Sequence, residues 1–303
     1  MPEDTRAPGR PDYGAALSGL AHRRREGSVL AVSGPDREAF LQGQLTQDVR
    51  GLTPGSARHA AGLTPKGRLL YFGWVAAEPD RLLLVLPGVP AEPVRAHLLR
   101  YAVFQKVSVA DVSADHVLFA LYGPRAASAA VPRGAILLGR EGEIAVGVLL
   151  APDAAAAFED GLRGAGSVSL SDAAAEALRI EAGRPRFGRD ADETNLPDEV
   201  GLADTISTTK GCYVGQEVVA RLRTYGRVSR RLVGFRLGGG ASVETAFPDP
   251  EKPAHELARV TSAVASPRFG PIGIGMASRD VAEGRQLETP DGATASVVPL
   301  PFA

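Results

Sequence analysis

The chain has 303 residues, 44% of them hydrophobic and 23% charged, with a formal net charge of −1. That balance fits a soluble globular protein of about two domains and excludes a disordered chain or a coiled coil; no apolar run approaches the ~20 residues of a membrane-spanning helix. The near-zero charge offers no general basic excess for gripping nucleic acid, and the single cysteine, Cys212, excludes an internal disulfide and an all-cysteine metal or iron–sulfur site, so no metal site is expected.

Residues 1–12, rich in Pro, Gly and charge, read as a frayed terminus without a secretory leader, which makes the cytoplasm the expected location. His22–Arg25 reads as the solvated end of a helix. Ser28–Ser33 reads as a strand and Gly34–Leu45 as a helix, with Pro35 at its first position and Leu41 and Leu45 on one face. Strands are predicted at Gly67–Ala77, Arg81–Leu86 and Lys106–Val112, with a short helix at Pro93–Tyr101. His116–Tyr122 and Gly142–Leu150 add strands, and Pro152–Gly161 is an alanine-rich helix. Strands and helices thus interleave through short connections, which favours an α+β layout with antiparallel sheets over a doubly wound parallel fold. From about residue 231 short alternating stretches separated by Gly and Pro (258–265, 272–277, 293–298) predict a small C-terminal β-barrel or sandwich over 231–303, following α+β modules within 1–230, one of them near 28–115.

Two segments carry chemistry. Ser171–Gly183 is a helix with Ser171 as N-cap and Gly183 as its left-handed terminator. Glu181 falls on the apolar face of Ala174 and Leu178, where a carboxylate is costly unless partnered. It is either an internal ion pair, with Arg184 or Arg186, or a ligand carboxylate facing a cavity. In Thr208–Arg221 a helix is predicted from Gly215. Cys212 lies just before it, two residues from Lys210, and both features favour a thiolate; the alternative is a buried, inert thiol. A Cys–His hydrolase requires His59, His97, His116 or His255 to fold back onto it.

Lys210–Glu217 reads Lys-Gly-Cys-Tyr-Val-Gly-Gln-Glu. It resembles the hallmark of the folate-binding YgfZ family, Lys-Gly-Cys-Tyr-x-Gly-Gln-Glu, a family related to the T-protein (aminomethyltransferase) of the glycine cleavage system. Phe40–Asp48, Pro65–Arg68, Leu178–Gly183 and Ser266–Pro267 resemble further family blocks in the expected order, so the resemblance covers roughly residues 28–300. It implies two ferredoxin-like α+β modules plus a C-terminal β-barrel around a central channel for tetrahydrofolate or a one-carbon derivative. It also implies a role in assembling or repairing iron–sulfur client proteins, among them radical enzymes that modify tRNA, without direct nucleic acid or membrane binding.

Carried over by position, the resemblance makes Glu181 the pterin ligand and puts Arg179, Lys210 and Tyr213 beside the folate. Cys212 and Lys210 become the chemically active pair. T-proteins carry an acidic pair where this chain has Lys66–Phe72, a stretch with no carboxylate. That departure counts against the alternative function, a folate-dependent aminomethyltransferase or demethylase. A third possibility is a folate sensor in which Cys212 is inert.

Overall fold

The apolar runs of the sequence become strands covered on both faces. The computed structural model describes residues 11–140 and 145–303. Helix α1 (Pro11–Ser18) leads into strands β1 (Ala21–Arg25) and β2 (Gly27–Ser33), helix α2 (Arg37–Gln44), strands β3 (Ala57–Leu63), β4 (Leu69–Ala77) and β5 (Arg81–Pro87), helix α3 (Ala91–Tyr101) and strand β6 (Ser108–Asp111). Strands β7 (Val117–Tyr122), β8 (Ile136–Arg140) and β9 (Ala145–Leu150), helix α4 (Pro152–Gly164), strand β10 (Val168–Ser169) and helix α5 (Asp172–Glu181) follow. An irregular segment with 3-10 turns at Pro197–Val200 and Ala203–Thr205 reaches α6 (Gln216–Tyr225). Beyond it lie β11 (Arg230–Gly238), β12 (Ala246–Pro248), β13 (Glu256–Ser266), β14 (Gly270–Ser278), β15 (Gln286–Glu288) and β16 (Thr294–Val298).

The first sheet has the order β3-β4-β5-β2-β6 and is antiparallel throughout. Apart from the edge strand β3, its strands and the helices α2 and α3 make the ferredoxin-like βαββαβ arrangement. The second sheet, β10-β1-β7-β9-β8, repeats the pattern with β1 inserted, parallel to β10 and antiparallel to β7. The two sheets pack face to face through Val29, Ala31, Trp74, Leu83 and Val85 on one side and Leu118, Ile136, Leu138 and Leu149 on the other. Leu30, Val32 and Leu84 point the opposite way, onto Phe40, Leu41, Val94 and Leu98 of α2 and α3. Both faces of β2 are therefore buried, which is why Val29–Val32 is a continuous apolar run rather than an alternating one. Helix α4 covers the outer face of the second sheet through Phe158 and Leu162.

The C-terminal strands form one sheet, β12-β13-β14-β11-β16-β15, curled so that its edge strands approach each other in a nearly closed barrel. Phe235, Phe247, Val260 and Val297 fill it. Helix α5 docks on its outside, Ile180 against Ile272, Ile274 and Phe302.

Four expectations change. His22–Arg25 is not a helix end but most of β1, paired on both sides; strand alternation turns His22 and Arg24 toward α4 and Arg23 and Arg25 to the opposite face. Helix α1 occupies part of the stretch read as frayed; residues 1–10 lie outside the described residues, as do 142–144 of the strand predicted at 142–150. Helix α2 starts at Arg37 rather than Pro35, because Gly34 (φ 105°) turns there: a Cβ on it would stand 2.2 Å from the Lys106 carbonyl oxygen. Strand β3, Ala-Arg-His-Ala-Ala-Gly-Leu, carries too weak an alternation to be foreseen.

Leu83 is fully buried between the sheets. Leu83→Ala is expected to lower unfolding free energy by about 2–5 kcal/mol in urea denaturation, and an unchanged midpoint would contradict face-to-face packing of the sheets.

Candidate functional site

Helix α5 supplies two walls at once. Ser171 caps it by accepting from the Ala174 N–H, and Ser171 is itself held by the Asp12 carboxylate of α1. Gly183 ends it in the left-handed region, at φ 68°. Ala175, Glu176, Arg179 and Ala182 line a cavity of about 940 Å³ between the modules, while Ala174, Ala177 and Glu181 turn toward α1 and the barrel.

The rest of that cavity comes from elements distant in sequence. Phe72, Trp74, Phe187 and His59 form an aromatic wall: His59 stacks on Trp74 at 5.1 Å, and Phe187 meets Phe72 edge-on at 6.0 Å. Facing it are Arg23 and Arg25 of β1, Arg179 of α5, and Arg184, Arg186 and Arg189 of the loop after it, while the Arg24 guanidinium is turned away to Glu159 of α4. Among the described lining residues Glu26, Asp172 and Glu176 are the carboxylates set against these six cations, an excess of positive charge. Burial works to raise Glu176, yet the guanidiniums of Arg179, Arg186 and Arg189 hold its carboxyl below the usual range. Arg184 has no carboxylate within ion-pair distance among the described residues. Such a space suits a planar heterocycle on the aromatic wall with carboxylates among the arginines, and its volume lies in the range of small-molecule sites.

Of the residues that the resemblance assigns to the folate or to the thiol chemistry, Arg179 alone lines this cavity. It is committed to Glu176, to the buried Asp190 and to the Ser262 hydroxyl. Glu181 is buried, but both its oxygens accept from the Tyr13 hydroxyl, at 2.7 and 2.8 Å, and one also accepts from Ser266 at 2.5 Å. Neither Arg184 nor Arg186 pairs with it; Arg268 approaches to 3.9 Å. The carboxylate expected to hold a pterin therefore sits in an internal joint behind the cavity.

Lys210 was expected beside the thiol and the folate. Its ammonium donates all three protons to carbonyls at the end of α2, those of Gln42 (2.8 Å), Leu45 (2.6 Å) and Gln47 (2.9 Å). It thereby caps the negative end of that helix. It also lies 5.1 Å over the ring of Tyr213, which is buried among Leu63, Leu69 and Val200 rather than in the cavity. Burial pulls the ammonium down to about 8, with Asp48 opposing and Arg50 reinforcing the shift. Val214 N–H donates to Gly43, and Gly215 (φ 83°) leaves room for the Thr64 carbonyl oxygen, 2.6 Å from where a Cβ would stand. The motif is thus pinned at 210, 214 and 215, and Cys212 between the pins is exposed.

The arginines of β1 and the loop after α5, together with the aromatic wall, were missed. Their sequence signal was the triplet Arg23–Arg25, visible but misplaced on a helix.

The chain is 30% identical over 253 residues to the tRNA-modifying protein YgfZ of Escherichia coli O157:H7, covering 78% of this chain and 76% of that protein. It is 29% identical over 301 residues to an aminomethyltransferase of Rubrobacter xylanophilus, covering 90% and 80%. A chloroplastic protein of Arabidopsis thaliana is 30% identical over 250 residues, and the chain spans 57% of its length. Among solved structures, the glycine cleavage system aminomethyltransferase T of Bartonella henselae superposes with a TM-score of 0.82 at 23% identity over 97% of this chain and 89% of that one, a likeness of fold. No protein-family model matches the chain.

Lys210→Met leaves buried carbonyls without a donor and is expected to cost about 2–4 kcal/mol at pH 7. Between about pH 8 and 10.5 the folded lysine gives up its proton while the unfolded chain keeps it, so this group makes stability rise with pH there. The wild-type advantage over Lys210→Met in urea should widen from pH 7.5 to 10; a constant gap would contradict the burial. Separately, iodoacetamide should alkylate Cys212 in the native protein without denaturant; labelling only after unfolding would show the thiol to be shielded.

Proposed function

Because this chain belongs to the family of the tRNA-modifying protein YgfZ, we propose that it binds a reduced folate in the arginine-lined cavity and supports the assembly or repair of iron–sulfur proteins, including those that modify tRNA. The observation that carries the folate reading is the pairing of one aromatic wall with six arginines against three carboxylates. When bound, a reduced folate supplies a carrier of one-carbon units. Phe72, Trp74 and Phe187 would hold the flat ring system and exclude water from it. Arg184, which among the described residues has no carboxylate within ion-pair distance and feels Asp204 only from further off, and Arg186, shared with Glu176, would take the carboxylates of the glutamyl tail.

The thiol faces outward from a pinned loop, so its reaction partner arrives from solution. A client protein or an iron–sulfur cluster it carries fits that position. One thiolate can occupy a single ligand position or attack a single sulfur, and cannot hold a whole cluster. Among the described residues no group of three His, Cys, Asp or Glu is placed to hold a metal ion, so Cys212 acts with ligands its partner brings. Among the described residues no helix is long and apolar enough to cross a membrane, and the cytoplasm is the proposed setting.

An aminomethyltransferase reaction is the weaker reading. Where the T-protein has its acidic pair, this chain has the stretch Lys66–Phe72, which holds no carboxylate. Within it the Tyr71 hydroxyl is buried without a hydrogen-bond partner among the described residues, and burial pushes its ionisation up.

Arg184→Ala is expected to weaken binding of 5-formyltetrahydrofolate, a stable reduced folate, by about 10- to 150-fold in calorimetry, the loss of a charge-assisted bond. Equal affinity in variant and wild type would remove Arg184 from the site. In cells, Cys212→Ala should depress iron–sulfur enzyme activities and thiomethylated tRNA; full activity in that variant would remove the thiol from the function.

A further inference from the structure

The aromatic wall contains one titratable ring. His59 on β3 is stacked on Trp74 and set edge-on to Phe72, 6.5 Å away. Its Nδ1 lies 3.3 Å from Asp204 Oδ2, in the 3-10 turn Ala203–Thr205. The Gln47 side-chain amide donates to the backbone carbonyls of both His59 and Asp204, which ties the two segments together. The hydrogen bond from His59 holds the Asp204 carboxyl below the usual range, with Arg184 contributing. An ionised carboxylate only accepts, so Nδ1 carries the proton and Nε2 presents its lone pair. Among the described residues Nε2 has no hydrogen-bond partner, and His59 belongs to the cavity lining.

We infer that His59, oriented by Asp204, is the proton-exchanging group of the cavity: Nε2 takes a proton from solvent as an anionic ligand binds, and the imidazolium then donates a hydrogen bond to an acceptor on that ligand. An anion entering beside the ring stabilises its charged form, and Asp204 orients the ring through Nδ1 from behind. The charged groups facing the ring are Asp204 from the turn, Arg184 from the loop after α5, and across the space Arg179, Arg186 and Arg189 around Glu176; Arg58, beside it on β3, is turned to the Asp48 and Arg50 carbonyls. Strands β4 and β8 bring apolar side chains to β3. The inference rests on the reading of this cavity as the ligand site.

The test is calorimetry of 5-formyltetrahydrofolate binding from pH 6 to 8 in buffers of different ionisation enthalpy, with wild type, His59→Gln and Asp204→Asn. Wild type should take up a fraction of a proton and tighten roughly tenfold toward pH 6, the scale of one charge-assisted hydrogen bond. His59→Gln should lose the proton uptake and most of the pH dependence, and Asp204→Asn should displace uptake to lower pH. The His59 ring carbon signal of wild type, followed by NMR, should report a higher protonated fraction with ligand than without, a readout that needs no variant. No binding by wild type at any pH overturns the folate reading and this inference with it. Binding whose proton uptake survives in His59→Gln, or an imidazole signal that ignores the ligand, overturns the inference alone.

Discussion

A carboxylate buried where three distant elements meet sets the geometry of everything around it. Left unpartnered, a buried charge such as Glu181 would cost several kcal/mol. It is answered by Tyr13 from α1, 168 residues earlier in the chain, and by Ser266 from the β13–β14 hairpin, while its own backbone carbonyl accepts from Phe302 N–H near the end of the chain. With one face of α5 fixed in that joint, the opposite face is left to form a wall of the cavity. The 3.6-residue period of a helix turns Glu176 into the arginines and Glu181 into the joint.

The same economy of buried charge governs the cysteine motif. The Lys210 ammonium occupies carbonyls that the end of α2 would otherwise leave unpaired, which immobilises the loop and leaves Cys212 facing out. Thiol and cavity lie in different places: neither Cys212 nor Lys210 is among the residues lining the arginine-rich space. The packed core between them holds Tyr213, Leu63 and Leu69 together with Phe72 and Phe187 of the cavity wall.

Inside the cavity, charge and shape divide the work. The arginines supply a net attraction for anions that the whole chain, at −1, conceals, because acidic residues elsewhere cancel it. Glu176 holds three of these arginines in place and keeps the cluster from repelling itself apart. The aromatic wall gives a flat surface that sets orientation, and His59 within it is held by Asp204 from a segment 145 residues away.

The sequence by itself determined most of the local structure. Val29–Val32, Leu82–Leu86 and the alternating C-terminal stretches become strands, and Ser171 and Gly183 bound α5, because these choices depend on neighbours within a few residues. The motif Lys210–Glu217 marked the family for the same reason: it is contiguous. Partnership was decided only by the tertiary structure. Whether Glu181 meets Tyr13, whether the Lys210 ammonium reaches a helix end, and whether Arg23–Arg25 is a solvated end or a paired strand beside a cavity all turn on contacts made across more than ninety residues. Charge pattern along the chain does not encode such contacts, since a buried charge takes whichever partner the fold brings within hydrogen-bond distance.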